Sequence, residues 1–302
     1  MTISPLAPDA FPALPAIAGI GLATAPSGAR YEGRDDLLLM TLAPGSTVAG
    51  LFTKSDTAAA PVCWSRTIVR RGTAAAIITN AGNANAFTGT RGEAAVSALT
   101  GALATDLGCQ PDDILIASTG VIGEPLDAGK LTPFFPEMIA NQTASWEQAA
   151  KAIMTTDTFA KGAHRQCRIG DADVTLCGIA KGSGMIAPNM ATMLGYIATD
   201  ASVPAALLAA CLVAANDRSF NAITVDSDTS TNDSVFLVAS GAAGNVPVDD
   251  IDNPLLAGFR AALADLMQDL AIQIVRDGEG ASKLITIDVA GAADFTTARK
   301  IG

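Results

Sequence analysis

Hydrophobic positions along this chain alternate between short continuous runs and helically spaced stretches. Residues 73–82, TAAAIITNAG, pack alanine, isoleucine and threonine into a run that ends in turn residues, which predicts a buried strand. DILIASTG (113–120) predicts a second strand with a glycine-bearing exit. DVTLCGIAKG (173–182), TMLGYIATD (192–200), SVFLVASG (234–241) and KLITIDVAGA (283–292) predict four more. Between them, GEAAVSALTGALATDLG (92–108) has the apolar spacing of a helix stopped at Gly108. SWEQAAKAIMTTD (145–157) opens on Ser145 with Gln148 three residues on, a capping-box start. PAALLAACLVAANDRSF (204–220) predicts a helix with Pro204 in its first turn. NPLLAGFRAALADLMQDLAIQIVRDGEG (253–280) predicts a long helix ending in a glycine-flanked acidic turn. The class is α/β, with apolar strands that need cover on both faces.

Composition narrows the function more than the fold. The 302 residues are 49% hydrophobic and 16% charged, enough for a sizeable core in one large or two modest domains. A formal net charge of −11 leaves no basic stripe for nucleic acid and no attraction to anionic lipid, so the acidity reads as a solubility feature. Cys63, Cys109, Cys167, Cys177 and Cys211 are scattered, odd in number and free of any CxxC pair. They argue against a disulfide framework or zinc site and for reduced thiols. His164 is the sole histidine, which excludes a multi-histidine metal centre; beside Arg165 it reads as a surface residue. The N-terminus has no basic residue before Arg30 and is broken by Pro5, Pro8, Pro12 and Pro15, unlike a secretory signal. The uncharged run 182–199 carries Gly182, Gly184, Pro188 and Asn189 and does not read as a membrane span. The expectation is a cytoplasmic protein with no metal, no resident cofactor, and no nucleic-acid or membrane partner.

Chemistry concentrates in KGSGMIAPNMATML, residues 181–194. A threonine hydroxyl is a weak nucleophile without a base, and this chain has almost no histidine to supply one. A threonine whose backbone nitrogen is a free α-amine carries its own base, since such an amine titrates near pH 8. Freeing that amine at Thr192 requires cutting the Ala191–Thr192 bond. The glycine-rich approach GSGMIAPNMA (182–191) offers a strained path by which the hydroxyl attacks the preceding carbonyl. The alternative reading is a Gly/Pro turn between two strands, and composition alone leaves it standing.

The same stretch closely resembles the self-cleavage motif of the ornithine acetyltransferase (ArgJ) family of arginine biosynthesis. Further blocks resemble that family in the same order: DLLLMTLAPGSTVAGLFTKSDTAAAPV (36–62), TNAGNANAFTG (79–89), ASTGVIGEPL (117–126), MTTDT (154–158), TVDSDTSTNDS (224–234) and RDGEGASKL (276–284). The resemblance implies an ArgJ/DmpA-like layered α/β fold, with mixed sheets covered by helices. It implies autoprocessing into an α chain, 1–191, and a β chain, 192–302, that begins with the nucleophile Thr192. The acetyl group of N-acetylornithine would pass to Thr192, ornithine would leave, and glutamate would take the group to give N-acetylglutamate. Acetyl-CoA is a second acetyl donor in some members, and the family assembly is a heterotetramer of two α and two β chains. By resemblance Thr119 and Gly120 form the oxyanion hole, and Thr158, Lys181, Thr192 and Glu279 contact the amino acid.

Each position also has a plain reading. Thr119-Gly120 ends a strand; Lys181 is a solvated strand-end lysine; Glu279 sits in an acidic surface turn; Thr158 ends a helix. The asparagine-rich block reads as loop support. Asp226, Asp228 and Asp233 lie close in sequence, but the EF-hand glycine and terminal glutamate are missing, so a hydrogen-bonded turn is preferred to a cation loop. Ala81, Phe87, Ser227 and Ser234 stand where the family usually has Ser, Cys, Gly and Thr. Family chains also run further at the C-terminus and supply an asparagine and a threonine or serine to the pocket. Two other functions remain open on the residues: an amidase or aminopeptidase with the same self-generated nucleophile, and an inactive binding relative that never cleaves itself.

Overall fold

The computed structural model describes residues 2–187 and 193–302. Its strands form two sheets. The first takes β1 (Ile20–Ala25), β2 (Leu37–Leu42), β4 (Ala76–Asn83) and β5 (Ile114–Val121), in that spatial order. The second runs β3 (Thr47–Phe52), β9 (Ser234–Ala239), β8 (Leu194–Thr199), β7 (Ala172–Lys181) and β6 (Lys161–Ile169). Each sheet is mixed: β4–β5 and β8–β9 are parallel pairs, and the remaining pairs are antiparallel.

The two-residue period of a strand explains the layering. In β2, Leu38 and Met40 join one core while Leu37 and Leu39 join another. In β9, Phe236 and Val238 face the first of these cores, and Val235 and Leu237 face a third. The shared core lies between the sheets. The other two lie under helices: α2 (Thr90–Leu107) and α3 (Phe135–Ala140) cover the first sheet, and α5 (Ala205–Asp217) and α6 (Ala257–Arg276) cover the second. Strands apolar on both faces are therefore sandwiched strands, and the molecule is a layered helix–sheet–sheet–helix stack.

Most predicted elements appear within a few residues of their expected bounds. The capping box forms as read: Gln148 N–H donates to Ser145 Oγ at 3.2 Å and Ser145 N–H to Gln148 Oε1 at 2.8 Å. Its helix, α4 (Trp146–Ala152), stops short of the predicted 157, because residues beyond it turn in to form a buried ion network described below. Gly108 is left-handed at φ +70 and caps α2. The predicted strand at 283–292 does not form. That segment has no regular structure, and Ile285 and Ile287 are 80% and 67% exposed. Its residues alternate like a strand, but among the described residues no sheet edge lies against it to supply the backbone partners that a strand needs. α7 (Phe295–Ile301) follows it.

Candidate active site

β5 and β7 end side by side, one from each sheet. Thr119 and Gly120 lie just before Val121, the last residue of β5, and Lys181 is the last residue of β7. The Lys181 ammonium is buried and donates to Thr119 Oγ1 at 3.2 Å. Gly120 has φ +133, and a Cβ there would stand 2.2 Å from the Gly82 carbonyl carbon of β4. Only glycine permits that approach. Burial pushes the Lys181 pKa down, partly offset by the negative charge of Asp157, while the nearby Lys161 charge lowers it further. The solvated strand-end reading of Lys181 is thereby excluded.

Chain order places the turn 182–187 directly after this lysine. Gly182 N–H donates to Asp157 Oδ1 at 2.6 Å, and Ser183 O accepts from Glu279 N–H at 2.7 Å. The Glu279 carboxyl lies over Gly184, where a Cβ would meet its Cδ at 2.8 Å. Glu279 itself is exposed. Met185 takes a left-handed φ of +59, and Asp226 receives its N–H and, at 2.9 Å, that of Ile186. Asp226 also accepts the Asp228 N–H at 3.2 Å, so the acidic block forms the hydrogen-bonded turn expected of it. Ala191 and Thr192 lie outside the described residues. The chain resumes at Met193, which leads into β8 beside β7.

Thr158 differs from its simplest expectation. Its hydroxyl donates to Asp277 Oδ1 and accepts the Ser4 N–H at 2.9 Å, while its own N–H donates to Asp277 Oδ2 at 2.9 Å. Asp277 shares Lys161 with Asp157: the ammonium is 2.6 Å from Asp277 Oδ2 and 2.7 Å from Asp157 Oδ1, and all three side chains are fully buried. Burial pushes the Asp157 carboxyl up, but Lys161, Lys181 and the Gly182 N–H outweigh it and hold it down to about 2. This network stitches the loop carrying Thr158, the turn after Lys181 and the segment carrying Glu279 into one unit. Sequence reasoning missed its three charged members. The available signal was their position inside MTTDT and RDGEG, the blocks that also carry Thr158 and Glu279.

The asparagine-rich block orders the opposite wall, as its loop-support reading requires. Asn85 Nδ2 donates to Gly92 O at 3.0 Å, and Asn80 Oδ1 accepts from Ser118 Oγ at 2.6 Å. Asn232, buried, donates to both Ala84 O at 2.6 Å and Ser118 O at 2.9 Å, which ties the entry to β9 onto the end of β5. Asp233, read in the sequence as part of the acidic turn, lies apart from it, fully buried beside Asn232, with Oδ1 accepting the Met193 N–H at 3.0 Å. Chemically, the region combines a buried lysine on a strand-end hydroxyl, a carboxylate over a glycine turn, and a carboxyl beside the start of β8. Such an assembly suits acyl transfer to and from an amino acid.

Comparison with known proteins points the same way. The model of the ArgJ family matches residues 21–302. The arginine biosynthesis bifunctional protein ArgJ of Agrobacterium fabrum is 48% identical over 305 residues, covering 100% of this chain and 74% of its own length. The protein of the same name from Gluconobacter oxydans is 47% identical, covering 100% and 71%. Among solved structures, a Mycobacterium tuberculosis ornithine acetyltransferase complexed with ornithine is 32% identical with a TM-score of 0.51, covering 59% of this chain and 94% of that one. A Burkholderia β-aminopeptidase is 12% identical with a TM-score of 0.52 over 85% of this chain, a likeness of fold alone.

Proposed function

The chain belongs to the ArgJ family, and from that membership we propose that it is an acetyltransferase of arginine biosynthesis that moves the acetyl group of N-acetylornithine to glutamate. The observation that carries the reading is the buried Lys181–Thr119 contact at the junction of the two sheets, immediately before the segment that holds Thr192. In this reading the chain cuts itself between Ala191 and Thr192, and the new α-amine serves as base for the Thr192 hydroxyl. The hydroxyl attacks the acetyl carbonyl. Thr119 and the Gly120 N–H stabilise the oxyanion, each such donor contributing on the order of 10²–10³ in rate. Ornithine leaves, glutamate enters, and the acetyl group passes on from Thr192 in a ping-pong cycle. Lys181 and Glu279 provide opposite charges for the two ends of an amino acid, and Thr158 sets the clamp.

Denatured mass and turnover test the proposal. Two fragments, 1–191 and 192–302, are expected from the wild type and one intact mass from Thr192→Ala, which should also lack transfer. Acetyl transfer at the wild-type rate by Thr192→Ala would refute it. Ornithine release that does not depend on glutamate would favour an amidase instead. The word bifunctional in the relatives' names supports a second donor. Acetyl-CoA in place of N-acetylornithine is therefore expected to yield N-acetylglutamate. Light scattering of the processed protein is expected to give the mass of two α and two β chains.

A further inference from the structure

The clamp leaves one charge of its second substrate unserved. N-acetylornithine carries one carboxylate and one ammonium, which Lys181 and Glu279 match. Glutamate carries a second carboxylate on its side chain, and the exposed Glu279 would repel it. A donor or cation is therefore needed elsewhere on the rim, and the connection from β1 to β2, residues 26–36, brings both. Asp36 closes its base: Oδ1 accepts the Ser27 N–H at 2.6 Å, and Asp36 O accepts the Ala81 N–H at 2.8 Å, which ties the loop to β4 one residue before Gly82. A Cβ at Gly82 would stand 2.5 Å from Arg30 Cβ and 3.0 Å from Tyr31 Cε2, so both side chains lie on the Gly82 backbone. Gly82 in turn abuts Gly120, which keeps Arg30 Cβ within about 8 Å of the Gly120 Cα. An arginine side chain is long enough to cover much of that distance.

Tyr31 is held in place while its hydroxyl stays free. The Arg34 guanidinium packs over the ring, 4.4 Å from its centroid, and donates to Lys151 O at 3.0 Å and Met154 O at 2.7 Å, at the end of α4. One edge of the ring thus rests on Gly82 and one face on Arg34. The hydroxyl has no hydrogen-bond partner among the described residues. Burial pushes its pKa up, against the charges of Arg34 and Arg30, so at neutral pH it keeps its proton and can donate. Arg30 is 46% exposed, and Glu124, its partner at 3.2 Å, is 54% exposed. Such a pair is worth little in water and is readily exchanged for another carboxylate. Arg34 is committed to carbonyls and Lys161 to two carboxylates, so neither is free for a ligand.

We propose that Arg30 and Tyr31 bind the side-chain carboxylate of glutamate, the acetyl acceptor, and so select it over neutral amino acids. This rests on the acetyl-transfer reading above. The carboxylate takes the place of Glu124 on the Arg30 guanidinium and accepts a hydrogen bond from the Tyr31 hydroxyl. Both contacts are charge-assisted. N-acetylornithine has no group for this locus, since its side chain ends in an ammonium that Glu279 receives. One site thus serves two substrates of opposite side-chain charge through separate groups, an acidic one after α6 and a basic one between β1 and β2. No bond forms or breaks at Arg30 or Tyr31; they act on acceptor binding.

Acceptor kinetics of the full chain test the proposal, with glutamine as the uncharged isostere of glutamate. The wild type is expected to prefer glutamate in kcat/KM. Tyr31→Phe keeps the ring and removes the hydroxyl; Arg30→Gln removes the charge. Each is expected to raise the glutamate KM about 10-fold and to lower the preference for glutamate over glutamine by about the same factor. The KM for N-acetylornithine and the single-turnover release of ornithine should stay within about twofold of wild type, because Lys181 and Glu279 are untouched. Added salt should raise the glutamate KM of the wild type more than that of Arg30→Gln. An unchanged preference in both variants, or a KM that rises equally for both substrates, would overturn this proposal alone. A wild type that transfers no acetyl group to glutamate would overturn the acetyl-transfer reading with it. If Tyr31→Phe shows no cooperative melt, Arg30→Gln, at a half-exposed position, decides the matter.

Discussion

Lys161 has no solvent exposure, and neither do the two carboxylates it bridges. Replacing it with methionine strands both charges in the core, a change that costs about 3–5 kcal/mol. Urea denaturation of Lys161→Met is expected to show that loss, and adding Asp277→Asn should return part of it by removing one stranded charge. Gly120 is constrained by space and not by charge. With a Cβ falling 2.2 Å from the backbone of β4, Gly120→Ala must move a strand or adopt a strained φ. A loss on the order of 3 kcal/mol is expected, visible as a lower melting temperature, together with a fall in transfer rate from the displaced Thr119. Much of this was hidden from the residue string. Lys181, Thr119 and Glu279 could be singled out because they fall in recognisable blocks, and the structure gathers them. Asp157, Lys161 and Asp277 could not, because a buried charge looks like a surface charge until its partners, up to 119 residues away, are known.

Elements were legible where local signals sufficed. α2, α4, β5 and β9 follow from period, caps and turn residues, all of which act within a few positions. Ser145→Ala tests the clearest of these: losing the bond to the Gln148 N–H should cost about 1 kcal/mol, measured as a lower urea midpoint at unchanged slope. β1, β2, β3 and β6 carried no equally strong local signal, and the pairing of β3 with β9 spans almost 190 residues. The segment 283–292 is the converse case. Its alternation is strong, but a strand is stabilised by a partner edge and not by its own pattern. The charged Lys283 and Asp288 flank the exposed Leu284, Ile285 and Ile287.

Across the whole molecule, the proposed cut at 191–192 would divide a stack that neither piece can form alone. β7 of the first piece pairs with β8 of the second, β3 with β9, and Lys161 of the first reaches Asp277 of the second. Cleaved protein is therefore expected to elute as one body and to part only in denaturant. Acid should loosen the same seam, and the sign follows from Asp157. Its folded pKa, about 2, lies below the unfolded value near 3.8, so the stability it confers is present above about pH 4 and is lost as pH falls through about 2. Each tenfold difference in proton affinity between the folded and unfolded chains is worth about 1.4 kcal/mol, so the Asp157 contribution comes to about 2 kcal/mol. Asp233 has the opposite sign. With its folded pKa raised to about 8, its contribution is greatest below the unfolded value and declines as pH rises toward 8. Urea midpoints of the cleaved protein should thus fall steeply between pH 4 and 2. Between pH 5 and 8 the wild type should lose stability relative to Asp233→Asn, which has no carboxyl to titrate. Equal slopes for the two proteins over that upper range would show that Asp233 is already ionised in the folded state.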